Sequence, residues 1–250
     1  MTPEVIVISL PDAKERRASV ERQLSDLGVT YRFFDAVRGV EGHELFSKYD
    51  ARSRLREEVE DMSSGQLGCY ASHYLVWQQC VRANKSLIVL EDDVLIDQKR
   101  FGDFLKGSSG IPDRYECVRL FPPLSRKNRP WLKCCSVDGG LAIYKFKKGH
   151  KSTTGYLIRP SGAAKLLGHA KKWIQPVDIE MDQFWIHGVE SYGVWPTCLK
   201  NDPRFESMIG YEDSRPERSL NITVYRKLKQ MKDLWMRSLH NLSFRMGRLL

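Results

Sequence analysis

The chain has 250 residues and a formal net charge of +9, with 42% hydrophobic and 28% charged residues, 18 glycines and 11 prolines. That composition suits one α/β domain, alone or with an appendage, and excludes collagen-like, mucin-like and wholly disordered chains. No run of eighteen apolar residues is present, which excludes a conventional membrane-spanning helix.

Val5 to Leu10 is a continuous apolar strand. The residues before it carry no basic region, so the N-terminus reads as a first strand rather than a signal peptide. Pro11-Asp12 then opens a helix whose charged face, from Lys14 to Arg22, backs the apolar Val20, Leu24 and Leu27, and Gly28 closes it. Tyr31 to Phe34 is a second strand. The charge-rich stretch from Glu41 to Asp61 has no firm period and reads as a helix or a loop excursion. Ser63-Ser64-Gly65-Gln66 starts a helix that runs to about Ala83, and Asn84-Lys85 leads into the buried strand Ser86 to Leu90. Further on come a strand near Cys117 to Phe121, a Pro-rich loop from Pro122 to Pro130, a hairpin candidate from Gly139 to Gly149, and a strand at Tyr156 to Ile158 entering a helix through Pro160-Ser161. The alternation predicts a single Rossmann-like α/β domain over residues 1–215. It should have a mostly parallel central sheet, helices on both faces, and ligands beyond the carboxyl ends of the strands.

Residues 216–250 hold eight Lys or Arg against two acids, a net +6, which leaves only +3 on the rest. Leu228, Met231, Trp235, Leu239, Leu242, Met246 and Leu249 recur there at spacings of three or four, so a basic amphipathic helix is expected. It would lie on an anionic membrane surface, with packing on the domain or pairing in a homodimer as alternatives. A near-neutral body without finger, helix-turn-helix or RNA-binding motifs argues against nucleic acid as a partner. Cys69, Cys80, Cys117, Cys134, Cys135 and Cys198 form no CxxC pair and read as reduced thiols of a cytoplasmic protein.

Three segments could carry chemistry. In SLIVLEDDVLI, residues 86–96, a buried strand delivers Glu91, Asp92 and Asp93 in succession. Such carboxylates repel one another unless a hard cation such as Mn²⁺ or Mg²⁺ neutralises them, or unless one merely caps a following helix. In STTGYLIRPSGAAKLL, residues 152–167, Gly155 would let the backbone approach a ligand closely; the alternative is a plain strand-turn-helix joint. In PVDIEMDQFW, residues 176–185, Asp178 and Asp182 would share one helical face, where like charges need a reason.

Together these segments resemble glycosyltransferase family 25 over roughly residues 4 to 200. The resemblance rests on VISLPDAKERR at 7–17, GQLGCYASHYLVWQ at 65–78, VLEDDV at 89–94, TTGYLI at 153–158 and PVDIEMDQFW at 176–185. Gln66 stands where the family commonly has an acid, and Ser9 where it has Asn. The resemblance implies a GT-A type fold, a divalent metal held by Asp93 with Glu91 or Asp92, and a UDP-sugar donor, most often UDP-galactose. It also implies a lipid-linked lipooligosaccharide acceptor at the inner face of the cytoplasmic membrane. Arg16, Arg17, Ser72, His73, Gly155 and Tyr156 become candidate donor contacts, while Asp178 or Asp182 would be the base of an inverting transfer, with a metal-ligand role for Asp178 as the alternative. Trp185 could stack on a sugar face. A metal-dependent phosphoryl-transfer or hydrolytic enzyme using the acidic cluster, and a non-enzymatic membrane adaptor, are the rival readings. The first would want an acid where strand one ends in Ser9-Leu10-Pro11.

Overall fold

The computed structural model describes residues 2–58, 60–205 and 220–247. The strands are β1 (Glu4–Ser9), β2 (Tyr31–Asp35), β3 (Leu87–Glu91), β4 (Val94–Ile96), β5 (Cys117–Arg119), β6 (Pro130–Ser136), β7 (Ala142–Phe146), β8 (Gly155–Ile158), β9 (Tyr192–Trp195) and β10 (Leu199–Asn201). The helices are α1 (Lys14–Asp26), α2 (Ala51–Glu58), α3 (Ser64–Ala83), α4 (Gln98–Ser108), α5 (Pro160–His169), α6 (Val177–Glu180), α7 (Phe184–His187) and α8 (Leu220–Met246).

Eight strands form one sheet in the order β2-β1-β3-β8-β5-β9-β7-β6, and β10 pairs with β4 beside it. Six of the eight run in one direction, as expected for a mostly parallel sheet; β8 and β7 run against them, so four of the seven ladders are antiparallel. The sheet is buried on both faces, and its side chains sort by the two-residue period of a strand. Val5, Val7, Ile88 and Leu90 face Val20 and Leu24 of α1 and Phe101 and Phe104 of α4. Ile6, Ile8, Leu87 and Val89 face Tyr70, Val76 and Trp77 of α3 and Leu166 of α5.

Local signals set the helix ends. Ser63 accepts from the amide of Gln66 while Gln66 accepts from the amide of Ser63, a reciprocal cap that starts α3, and Asn84 ends it in the left-handed region. Neither Asp92 nor Asp93 caps the helix after β3, because β4 intervenes and Asp97 caps α4. The unassigned stretch after β2 contains 3₁₀ turns and the short α2. The hairpin turn falls at Val137 to Leu141, earlier than expected, between β6 and β7. None of the six cysteines is in a disulfide. The expected boundary between residues 215 and 216 lies outside the described residues, as do Arg218, Arg248 and Leu249.

Candidate functional site

The parallel strands β1 and β3 end side by side, and the antiparallel β8 begins at the same edge, with Gly155 opposite Leu90. A cavity of about 360 Å³ opens there, lined by Ser9, Arg16, the segment from Ala36 to Val40, Ser64, Gly65, Cys69, Ser72, His73 and Glu91 to Asp93. A larger open depression of about 1080 Å³ lies around Thr2 to Val5, Lys85 and Arg159, but it gathers no cluster of carboxylates.

Two glycines shape the wall. A Cβ on Gly39 would stand 1.7 Å from the carbonyl oxygen of Ser64, and one on Gly68 would stand 2.4 Å from that of Val37. Their absence lets the segment after β2 close onto the first turn of α3. Ser72, wholly buried, ties the two together: its hydroxyl accepts from the amide of Val37 at 2.9 Å and donates to the carbonyl of Gly68 at 2.7 Å.

The three consecutive acids have three environments. Both oxygens of Asp92 are taken, one by the Ser9 hydroxyl at 2.6 Å and the other by Arg16 at 3.2 Å. Glu91 accepts from the Thr153 hydroxyl at 2.6 Å and lies 3.3 Å from His73 Nε2. Burial pushes its carboxyl up, but those hydrogen bonds and the imidazole outweigh it, so Glu91 sits below the usual carboxylate range. Asp93 is the reverse: burial, with Glu91 and then Asp92 adding repulsion against the pull of Arg16, pushes it up to about 7. Its Oδ1 is buried without a hydrogen-bond partner. The expected need for a cation is thus met partly by the guanidinium of Arg16, which lies 3.2 Å from Asp92 and reaches Asp93 only at 3.8 Å. Asp93 remains short of positive charge. A hard divalent cation fits that deficit, with Asp93 and Glu91 as its carboxylates and Asp92 as an anchor.

Behind Glu91 runs a buried chain of hydrogen bonds. Trp77 Nε1 donates to the Tyr156 hydroxyl at 2.9 Å, which lies 2.8 Å from His73 Nδ1. The Glu91 carboxylate can only accept, so His73 Nε2 is the donor of that contact. Cys69, His73 and Glu91 offer ligand atoms within 4.8 Å of one another.

Several expected donor contacts are engaged elsewhere. Arg17 donates to the carbonyls of Ser9 and Leu10 and to Asp35, stapling the ends of β1 and β2 together, and does not line the cavity. Tyr156 is wholly buried with its hydroxyl inside the chain just described. A Cβ on Gly155 would meet Leu199 at 2.1 Å, so this glycine admits the side chain of β10 rather than a ligand.

The two later aspartates do not share a helical face, because α6 ends before Asp182. Asp182 is buried and accepts from the amides of His150 and Lys151 at 3.0 and 2.7 Å, with Arg119 at 3.4 Å. It is a clasp on the loop before β8. Burial still pushes it up to about 6. Asp178, in the first turn of α6, is only partly buried and has no ion pair among the described residues. Burial raises its pKa, Arg119 opposes and Glu91 reinforces the shift. Cys69 feels the charge of Asp178 as well as that of Glu91, but Asp178 is not among the residues that line the cavity. Trp185 lies under Arg237 of α8, 5.5 Å from guanidinium to ring centroid, and not in the cavity.

The chain matches glycosyltransferase family 25 (LPS biosynthesis protein) over residues 2–181. It is 32% identical over 233 residues to the lipooligosaccharide biosynthesis protein lic2B of Haemophilus influenzae, covering 88% of this chain and 85% of that one. It is 26% identical over 251 residues to the lacto-N-neotetraose biosynthesis glycosyltransferase LgtE of Neisseria meningitidis, covering 91% and 86%. It is also 30% identical over 176 residues to a glycosyltransferase 25 family member of Anopheles gambiae, covering 65% of this chain but only 28% of that longer protein.

Proposed function

The chain belongs to glycosyltransferase family 25, and from that premise we propose that it is a GT-A type, inverting galactosyltransferase that moves a sugar from UDP-galactose to a lipooligosaccharide acceptor. The observation that carries this reading is the cavity at the strand ends that holds Asp93, a carboxylate short of positive charge; Asp178, outside its lining and with no ion pair among the described residues, is taken as the second carboxylate. A transferase needs both: a place for the departing diphosphate and a base for the incoming hydroxyl.

Glu91 and Asp93 would hold Mn²⁺ or Mg²⁺, which supplies the positive charge that a departing UDP requires. The loop from Ala36 to Val40, pinned by Ser72 and closed on α3 through Gly39 and Gly68, would receive the nucleoside. Asp178 takes the proton of the acceptor hydroxyl as its oxygen bonds to the anomeric carbon and the bond to the diphosphate breaks on the opposite face. Burial raises its affinity for that proton, which suits the task. The acceptor, an oligosaccharide on a lipid, would be met on the cytoplasmic side of the membrane. No described helix is long and apolar enough to cross a membrane.

The test is release of UDP from a panel of UDP-sugars with an oligosaccharide acceptor. UDP-galactose should be used in preference, turnover should stop with chelator and return with Mn²⁺, and proton NMR should show a β-linked product. Indifference to chelator, an α-linked product or preference for another sugar would overturn the corresponding part of the assignment.

A further inference from the structure

Helix α8 is amphipathic in the opposite sense from a helix that closes a core. Its polar side is turned toward the domain. Arg226 pairs with Glu58 at 2.6 Å and Lys229 with Glu57, both on α2. His240 lies 2.5 Å from Glu190, and Asn241 donates to the carbonyl of Lys147 at 3.1 Å. Phe244 is an apolar contact on that side, 6.3 Å from the Tyr192 ring. The opposite side carries Leu228, Met231, Trp235, Leu239, Leu242 and Met246, each between 46% and 66% exposed. Val224, Tyr225 and Leu234 widen the strip. An uninterrupted apolar ridge along a 27-residue helix, ~40 Å long, is far more than scattered surface residues account for.

Charge decides what covers it. On the helical wheel the exposed cations Lys227 and Arg245 flank the ridge on one side and Lys232 on the other, whereas Asp233, the one acid of α8, lies on the domain side. A second copy of the chain laid ridge to ridge would bring cations against cations with no carboxylate opposite them. An anionic lipid surface supplies both an apolar layer for the ridge and negative headgroups for its borders, and Trp235 and Tyr225 suit the boundary between them.

We infer that the outward ridge of α8 from Val224 to Met246 is a docking surface for an anionic lipid bilayer. The helix lies flat in the headgroup layer while its polar side holds the domain. It lies beyond residues 2–181 that match the family, and the assignment does not depend on which sugar is transferred.

The experiment uses the full chain with vesicles of phosphatidylethanolamine and phosphatidylglycerol, and with phosphatidylcholine vesicles for comparison. The wild type should sediment with the anionic vesicles, leave them as salt rises, and ignore the neutral ones. The variant Leu228→Glu/Trp235→Glu/Leu242→Glu should lose roughly tenfold or more in partitioning while melting as the wild type does. Should that variant fold poorly, Lys227→Glu/Lys232→Glu/Arg245→Glu keeps the ridge and removes its borders, and should weaken anionic binding by at least as much. A wild type that ignores anionic vesicles, or variants that bind them undiminished, would overturn the assignment. So would a wild type that is a dimer which the ridge variant splits, since the ridge would then be covered by its twin. UDP-sugar turnover on a soluble acceptor, measured beside it, separates failure of this surface from failure of the catalytic reading.

Discussion

At the residue scale, the two aspartates of PVDIEMDQFW part company. Asp182 spends its carboxylate on two amides and Arg119, so Asp182→Asn should lower stability by about 1–3 kcal/mol, read as a shifted denaturation midpoint. Asp178→Asn should instead leave the midpoint level or raise it, since burial opposes its charge, and cut turnover roughly 10²- to 10⁴-fold with UDP binding retained. The reverse pattern would move the base to Asp182. Asp93 adds a pH test on metal-free protein. Its folded pKa of about 7 lies above the model-compound 3.8, so the native state keeps a proton that the unfolded chain has lost. Its contribution is therefore most favourable below pH ~4 and is lost as pH rises toward 7, a penalty of at most about 4 kcal/mol. Asp93→Asn should match the wild type near pH 4 and exceed it in stability at pH 8. Urea denaturation in chelator at both pH values checks this, and a constant difference would deny Asp93 its raised pKa.

At the scale of elements, what the sequence shows is what local rules determine. The apolar run of β3, the caps of α3 and the Pro160 start of α5 are all encoded within a few residues, and each element stands where its pattern puts it. Gln66 illustrates why a departure from a family pattern need not disturb a site: its amide closes the same reciprocal cap that a glutamate would. The rest depends on partners far along the chain. Nothing near Arg17 announces that Ser9, Leu10 and Asp35 will use its donors, and nothing near Gly155 announces Leu199. The wall from Ala36 to Val40 is equally silent, because the close approaches that require Gly39 and Gly68 join segments about thirty residues apart. Gly39→Ala should push that wall off α3, costing about 1–3 kcal/mol of stability and at least tenfold in UDP affinity by calorimetric titration. Unchanged UDP affinity would mean that the nucleoside sits elsewhere.

At the scale of the whole molecule, α8 is both an outer surface and a lid. It covers Lys145, which is wholly buried and lies 3.7 Å above the Phe184 ring and 5.3 Å from Phe244, paired with a Glu190 that His240 also holds. Removing residues 220–250 would bare Phe184 and leave Glu190 with one partner fewer. The truncated chain should therefore melt roughly 4–8 °C lower, as expected for a loss of about 2 kcal/mol in a domain of this size. Unchanged melting would show that the domain does not need the helix. This is why substitutions on the outer ridge, and not truncation, isolate its contact with lipid.

The buried chain from Trp77 to Glu91 has a direction, and direction implies selectivity. An indole N–H can only donate a hydrogen bond and a carboxylate can only accept one, so the chain starts at Trp77 and ends at Glu91, and the Nε2 position of His73 carries a hydrogen. Burial, with the negative charges of Glu91 and Asp178 beside it, likewise holds the Cys69 thiol far above its ordinary pKa, as the protonated form. Zinc or copper, which seek imidazole nitrogen and thiolate sulfur, would have to displace the proton on His73 Nε2 and the one on the Cys69 thiol before gaining either ligand. Magnesium and manganese ask only for oxygen. A row of hydrogen bonds several residues deep thus leaves carboxylate oxygen as the atom that the site offers most readily to a cation.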